Sequence, residues 1–399
     1  MVDTPDQAPA AVRPVVLRGM TWNHSRGYLP LAATAQRFCE LNPGLEIAWD
    51  RRSLKAFEES PIERLAEDYD LIVLDHPFVG HAAKHRPLVA LDGALPSDFL
   101  ADQAAHSVGA SHASYSFGGR QWALAVDAAA PIAFWREDLV ARLGLSIPRT
   151  WDETLELARR GHVEVPAAPV NCLMNFYSLC AALGEEPFAS TASIVSPDTG
   201  RAALERLRNL LSLCDQGCWT RNPIVSHERL AAETNTRLAY CPLAYGYSNY
   251  FRPGYADHRL VAGEPPVFGG APLRTVLGGT GLAVSALRPH RDEAVAFARF
   301  SASGAIQETL YAQCGGQPGH RRAWVSGSNN AASGSYFSRT LPVLDRAYLR
   351  PRFCGYMRFQ VGAGPLVHAA LRRQIPDAEV LADLDALYRA SLGDADGLS

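Results

Sequence analysis

Short apolar strands alternating with amphipathic helices place this chain in the α/β class, with a parallel sheet covered on both faces. Three observations in the first 75 residues predict it. Val15–Gly19 is a brief apolar run of strand length. Leu31, Ala35, Phe38 and Leu41 recur at helical spacing and stop at Asn42-Pro43-Gly44. Asp70 and Asp75 then bracket Leu-Ile-Val-Leu, a segment apolar along its whole centre, as a strand buried on both faces is.

The remaining elements follow in order. Leu45–Trp49 reads as the second strand and Ile62–Glu67 as a short helix before the third. Phe117-Gly-Gly-Arg predicts a turn leading into an extended stretch through Trp122, and Ile132–Trp135 a further strand. Leu139–Leu143 starts a helix. Thr150 with Glu153 three positions on is a capping box for another, whose apolar face runs through Leu155, Leu157 and Ala158. Leu204, Leu207, Leu210 and Leu211 mark an amphipathic helix over 201–214. Leu238–Leu243 and Leu282–Ser285 read as strands, Asp292–Ser301 and Ala305–Cys314 as helices. The last third is predicted helical, notably Leu341–Leu349 and Ala378–Ser391.

Length and composition bound the function. At about 150 residues per domain, 399 residues predict two to three domains. An apolar fraction of 47% and a charged fraction of 20% are those of a globular chain. The net charge of −3 gives no electrostatic footprint for nucleic acid or for a polybasic membrane contact. No apolar run approaches the roughly 18 residues of a membrane span. Met1–Ala10 has neither a basic nor an apolar leader segment. The eight cysteines, with no CxxC pair, read as scattered thiols that fit a reducing compartment. The expected location is therefore periplasmic if a leader has been removed, and cytoplasmic otherwise. Catalytic templates are missing: there is no Gly-x-Ser-x-Gly elbow, no Walker sequence and no His-Glu-x-x-His. Gly278-Gly-Thr-Gly281 precedes a strand rather than a helix, so no dinucleotide site is expected. Neither cofactor nor metal is predicted.

In an open α/β sheet, ligands sit beyond the carboxyl ends of the strands. That rule selects the polar-aromatic loop after the first strand, with Trp22, Asn23, His24, Arg26 and Tyr28, and the loop after the third, with Asp75 and His76. Arg51 and Ser53 follow the second strand on the same rim.

Four segments then match one family in order and spacing: Asp70–Gly80, Gly118–Trp135, Leu143-Gly-Leu-Ser-Ile-Pro-Arg-Thr-Trp-Asp-Glu153, and Gly278–Ser285 with the helix after it. The chain resembles the extracellular solute-binding proteins of ABC importers, in the sugar-binding, maltose-binding-protein-like group. The resemblance spans roughly residues 15 to 325 and is most specific at Leu143–Glu153. It implies a two-lobed type II periplasmic-binding-protein fold with a ligand cleft between lobes, residues 14–126 and 270–322 forming one lobe, 127–269 and 323–399 the other. It implies that the chain crosses between lobes near Asp127, and that Tyr245, Tyr247, Gly279 and Thr280 border the cleft with Asp75 and His76. Asn175 and Tyr177 join the candidates as a second-lobe loop or helix start. The expected activity is capture of a small polar ligand by hinge closure for an ABC transporter permease, by a monomer that is not an enzyme. Aromatic residues favour a sugar ring, and Arg26, Arg51 and His76 favour a carboxylate. A cytosolic ligand sensor on the same fold is the alternative.

Overall fold

The computed structural model describes residues 14–54, 56 and 61–393. The chain opens with β1 (Val15–Trp22), α1 (Ser25–Leu41), β2 (Leu45–Arg52), α2 (Ile62–Asp68), β3 (Leu71–Leu74) and α3 (Val79–His85). A small hairpin, β4 (Ser116–Phe117) and β5 (Arg120–Gln121), precedes β6 (Leu124–Ala129). Only Ala130 separates β6 from β7 (Pro131–Trp135). Then come α4 (Trp151–Arg159), α5 (Pro169–Ala182), α6 (Pro197–Leu211), α7 (Pro223–Ala231), β8 (Tyr240–Tyr245), β9 (Val261–Gly263) and β10 (Gly278–Val284). Helices α8 (Arg291–Ala302), α9 (Tyr336–Asp345), α10 (Tyr356–Leu371) and α11 (Asp377–Leu392) dominate the remainder.

The first sheet has the order β2-β1-β3-β10-β6. Its first three strands are parallel, as the sequence predicts, with Val15 opposite Leu45 and Met20 opposite Ile72. Strand β10, by contrast, runs antiparallel to both β3 and β6. An apolar strand carries no directional information; its direction is set by the connection that delivers it. The second sheet, β8-β7-β9, is wholly antiparallel.

Three cores flank the two larger sheets. Leu17, Met20, Ile72, Val73, Val126, Leu282 and Phe297 share one. Strand β7 splits its side chains with the period of two that a strand imposes: Ala133 enters a core with Leu173, Phe176 and Leu207, while Ile132 and Phe134 enter another with Tyr250, Trp324 and Phe337. The capping box forms as predicted: Thr150 Oγ1 accepts the Glu153 N–H, and Glu153 accepts the Thr150 N–H. The helix predicted at 305–314 forms: Gly304–Ile306 continues without a break through a π-helical turn, Gln307–Tyr311, to residue 313. Among the described residues no helix is long and apolar enough to cross a membrane.

Candidate functional site

Strand direction brings four chain segments to one rim. The carboxyl ends of parallel β1 and β3 lie side by side, which places Trp22 near Asp75. Because β10 is reversed, its first residues rather than its last meet that rim: Gly281 is opposite Leu74 and Gly278 opposite Ala129. Gly279 has φ +104°, and a Cβ there would stand 2.3 Å from the carbonyl oxygen of Asp127, so the β10–β6 join closes only around glycine. Tyr245, paired with Pro131, brings the end of β8 to the same place from the second sheet.

Between these ends, the starts of α5 and α7 and the middle of α10 lies a cavity of about 480 Å³. That is a small-molecule volume. Its apolar walls include Trp22, Leu54, Pro169, Met174, Tyr245, Tyr247, Val361 and Pro365. Its polar groups include Arg26, Asp75, Asn171, Thr220, Asn222, Thr280, Arg350 and Gln360. Asn171 Oδ1 and Thr280 Oγ1 are shielded from solvent and have no hydrogen-bond partner among the described residues.

Two buried ion pairs hold the charges. Arg26 donates through Nε to Asp127 Oδ2 at 2.8 Å and through Nη2 to Oδ1, and its Nη1 reaches Gly246 O at 2.8 Å. Burial alone would lower the Arg26 pKa; the Asp127 carboxylate outweighs it and raises it above the ordinary value. Arg350 Nη2 donates to both oxygens of Asp75, at 2.9 and 2.7 Å, and Nη1 to Gln360 Oε1 at 2.7 Å. Burial would push the Asp75 carboxyl up, but the Arg350 charge beside it prevails and holds it below the usual carboxylate range. Two cations thus face two carboxylates, and the wall is charge-balanced.

The predicted residues divide. Trp22, Arg26, Asp75, Tyr245, Tyr247, Gly279 and Thr280 line the cavity. The others do not. Asn23 is exposed. His24 caps α1, its Nδ1 accepting the Arg26 N–H at 3.0 Å, and burial followed by the Arg26 charge pushes it down to about 3. Tyr28 is turned outward beneath Arg51, whose guanidinium stands 4.6 Å from its ring centroid. Ser53 is exposed and accepts the Ala56 N–H, so Leu54 is what reaches the cavity from that loop. His76 is fully buried behind Asp75, its Nδ1 3.2 Å from Asp75 Oδ1. Asp127 sits behind Arg26. Asn175 and Tyr177 are not in a loop or helix start but in the buried middle of α5; its first turn, Pro169 to Asn171, meets the cavity instead. Neither Arg350 nor Gln360 carries a local sequence signal: Arg350 meets Asp75 across 275 residues of chain, and Gln360 is held by Arg350. The Pro169 start of α5 was the one available signal for Asn171, since proline favours the first helical position.

No protein-family model matches the sequence, and no curated protein does. Solved structures match over nearly the whole chain. A maltose-bound MalE3 of T. maritima is 18% identical with a TM-score of 0.82, over 94% of this chain and 99% of that one. An ABC-transporter solute-binding protein of Agrobacterium radiobacter in complex with ribitol is 17% identical with a TM-score of 0.80, over 94% and 98%. The maltotriose-binding protein of Thermus thermophilus is 19% identical with a TM-score of 0.74, over 95% and 100%. The fold is that of the two-lobed ABC solute-binding proteins.

Proposed function

We propose that this chain is a solute-binding protein that captures a neutral, polyhydroxylated ligand, a sugar or polyol, between its lobes for delivery to an ABC importer. The observation that carries the reading is the charge-balanced wall: both cavity arginines already hold carboxylates, so an incoming anion meets no vacant cation. Hydroxyl groups need paired donors and acceptors beside flat apolar faces, and Asp75–Arg350, Asn171 and Gln360 beside Trp22, Tyr245 and Tyr247 supply them. The solved relatives were captured with maltose, maltotriose and ribitol, which are such ligands. No bond need be made or broken, and the role is not enzymatic. Affinity comes from hinge closure of residues 14–126 with 270–322 against 127–269 with 323–399. Leu273 and Val276 pack with Leu173 and Phe176 rather than in the core of β1 and β3, which supports moving that proposed boundary from 270 to just before Gly278. The proposed compartment is outside the cytoplasm.

The test is a thermal-shift and calorimetric screen of maltose, maltotriose, ribitol, tagatose, citrate and succinate. A neutral member should raise Tm by mass action, and Trp22→Ala should weaken it at least about tenfold. Response to the carboxylates alone would reverse the ligand class, and silence across a wider sugar panel would remove solute capture itself.

A further inference from the structure

Away from the cavity, the outer end of α3 meets the segment that leads into α10. His81 and His85 are four residues apart and so share one face of α3. Gly80 fixes what lies above that face: a Cβ there would stand 1.7 Å from the carbonyl oxygen of Arg352, so the helix rests directly on the backbone of 352–353. This contact delivers Cys354. Its Sγ stands 3.7 Å from His81 Nδ1 and 3.8 Å from His85 Nε2. The three ligand atoms all lie within 4.8 Å of one another.

We propose that His81, His85 and Cys354 form a transition-metal site of the zinc class. A tetrahedral ion with a sulfur at about 2.3 Å and a nitrogen at about 2.0 Å sets the two ligands about 3.6 Å apart. The observed separations need only small side-chain adjustments to match. The far nitrogen of His81, Nε2, is engaged by Glu63 Oε1 from α2. A carboxylate on the outer imidazole nitrogen is the arrangement that fixes a ligating histidine's tautomer and orientation. Two imidazoles and a thiolate suit Zn²⁺ or Co²⁺ and are poor ligands for Mg²⁺ or Ca²⁺. The groups are half-buried or exposed, which leaves the fourth position to water. A second cluster, Asp102, His106 and His320, is as compact but has no thiolate, and both its imidazoles already bond the same carboxylate, at 2.9 and 3.2 Å.

The site has a mechanical consequence. Val79 and Ala82 pack in the core with Leu17 and Ile72, and Tyr356, with Phe353 against it, in the core with Leu173 and Phe176. A bound ion would therefore clip the lobes together a few residues beyond the Asp75–Arg350 pair.

The test is titration of the dialysed full-length protein with Co²⁺, followed by displacement with Zn²⁺. One ion per chain with a thiolate-to-metal charge-transfer band is expected. Cys354→Ser should abolish that band, and His81→Ala and His85→Ala should each weaken binding at least about tenfold. Glu63→Gln should weaken it by about tenfold or more without removing the band. Far-UV circular dichroism checks that each variant folds. Independently of any variant, Zn²⁺ should protect Cys354 of the wild-type protein from alkylation, read by peptide mass spectrometry. A Co²⁺ spectrum without the thiolate band, or equal alkylation of Cys354 with and without Zn²⁺, would overturn the site.

Discussion

Asp75 follows β3, and its Oδ1 accepts the His76 N–H at 2.9 Å, which opens the short turn His76–Phe78. Beyond that turn Asp75 borders the cavity and pairs with Arg350, while His76 lies buried beside it against Tyr115, ring centroids 6.3 Å apart. Burial first, and the Arg350 charge second, push the His76 imidazole down to about 4 from 6.5. The sign follows from proton counting. Between those values the unfolded chain binds a proton at this residue and the folded chain does not, so stability falls as pH drops through the window. The loss is about 3 kcal/mol for this group once pH is below both values. His24 and His227, each pushed down to about 3 mainly by burial, act in the same direction. Urea unfolding between about pH 6.5 and pH 4 should therefore show stability declining with acid, by about 1.4 kcal/mol per pH unit for each histidine. His76→Gln should reduce that slope by one proton; an unchanged slope would mean that His76 is protonated in the folded protein.

Helices with strong local signals were legible and the cavity-facing ones were not. The Thr150–Glu153 box predicts the start of α4 from four residues, because a cap is a local hydrogen-bond exchange. The role of Gly279 is invisible in the same way of reading, since the atom that would collide with its Cβ belongs to Asp127. The two positions give a paired expectation. Thr150→Ala should cost about 1 kcal/mol of stability and leave ligand affinity unchanged, because the cap is remote from the cavity. Gly279→Ala should cost about 1–3 kcal/mol and also weaken the ligand, because the positive φ and the close backbone force the cavity rim to move. Chemical denaturation and calorimetry on both variants separate the effects, and a Gly279→Ala protein with native affinity would place the rim outside the site. Helix α5 makes the same point about register. Its apolar run shows that it is buried, but Asn175 and Tyr177 point to the interior while Asn171 meets the cavity.

At the scale of the whole molecule, the balanced wall makes a prediction that no single residue carries. A neutral ligand should bind with affinity constant to within about twofold from about 50 mM to about 500 mM salt, since it brings no charge to be screened. A steady loss of affinity across that range would indicate an anionic ligand and a broken ion pair. The sequence by itself determined the α/β class, the strands β1, β3 and β7 to within a few residues, the capped helix α4, and the rim carrying Trp22, Arg26 and Asp75. These depend on periodicity, caps and the rule that ligands gather at strand ends, all readable over a short window. Only the tertiary structure decided that β10 runs backwards, that Arg350 and Gln360 complete the Asp75 wall, that Asn23, Arg51 and Ser53 turn away, and that Cys354 lies over His81 and His85. Each of those is a contact between residues far apart in the chain. Its geometry is set by how the cores pack, and the local sequence carries no record of it.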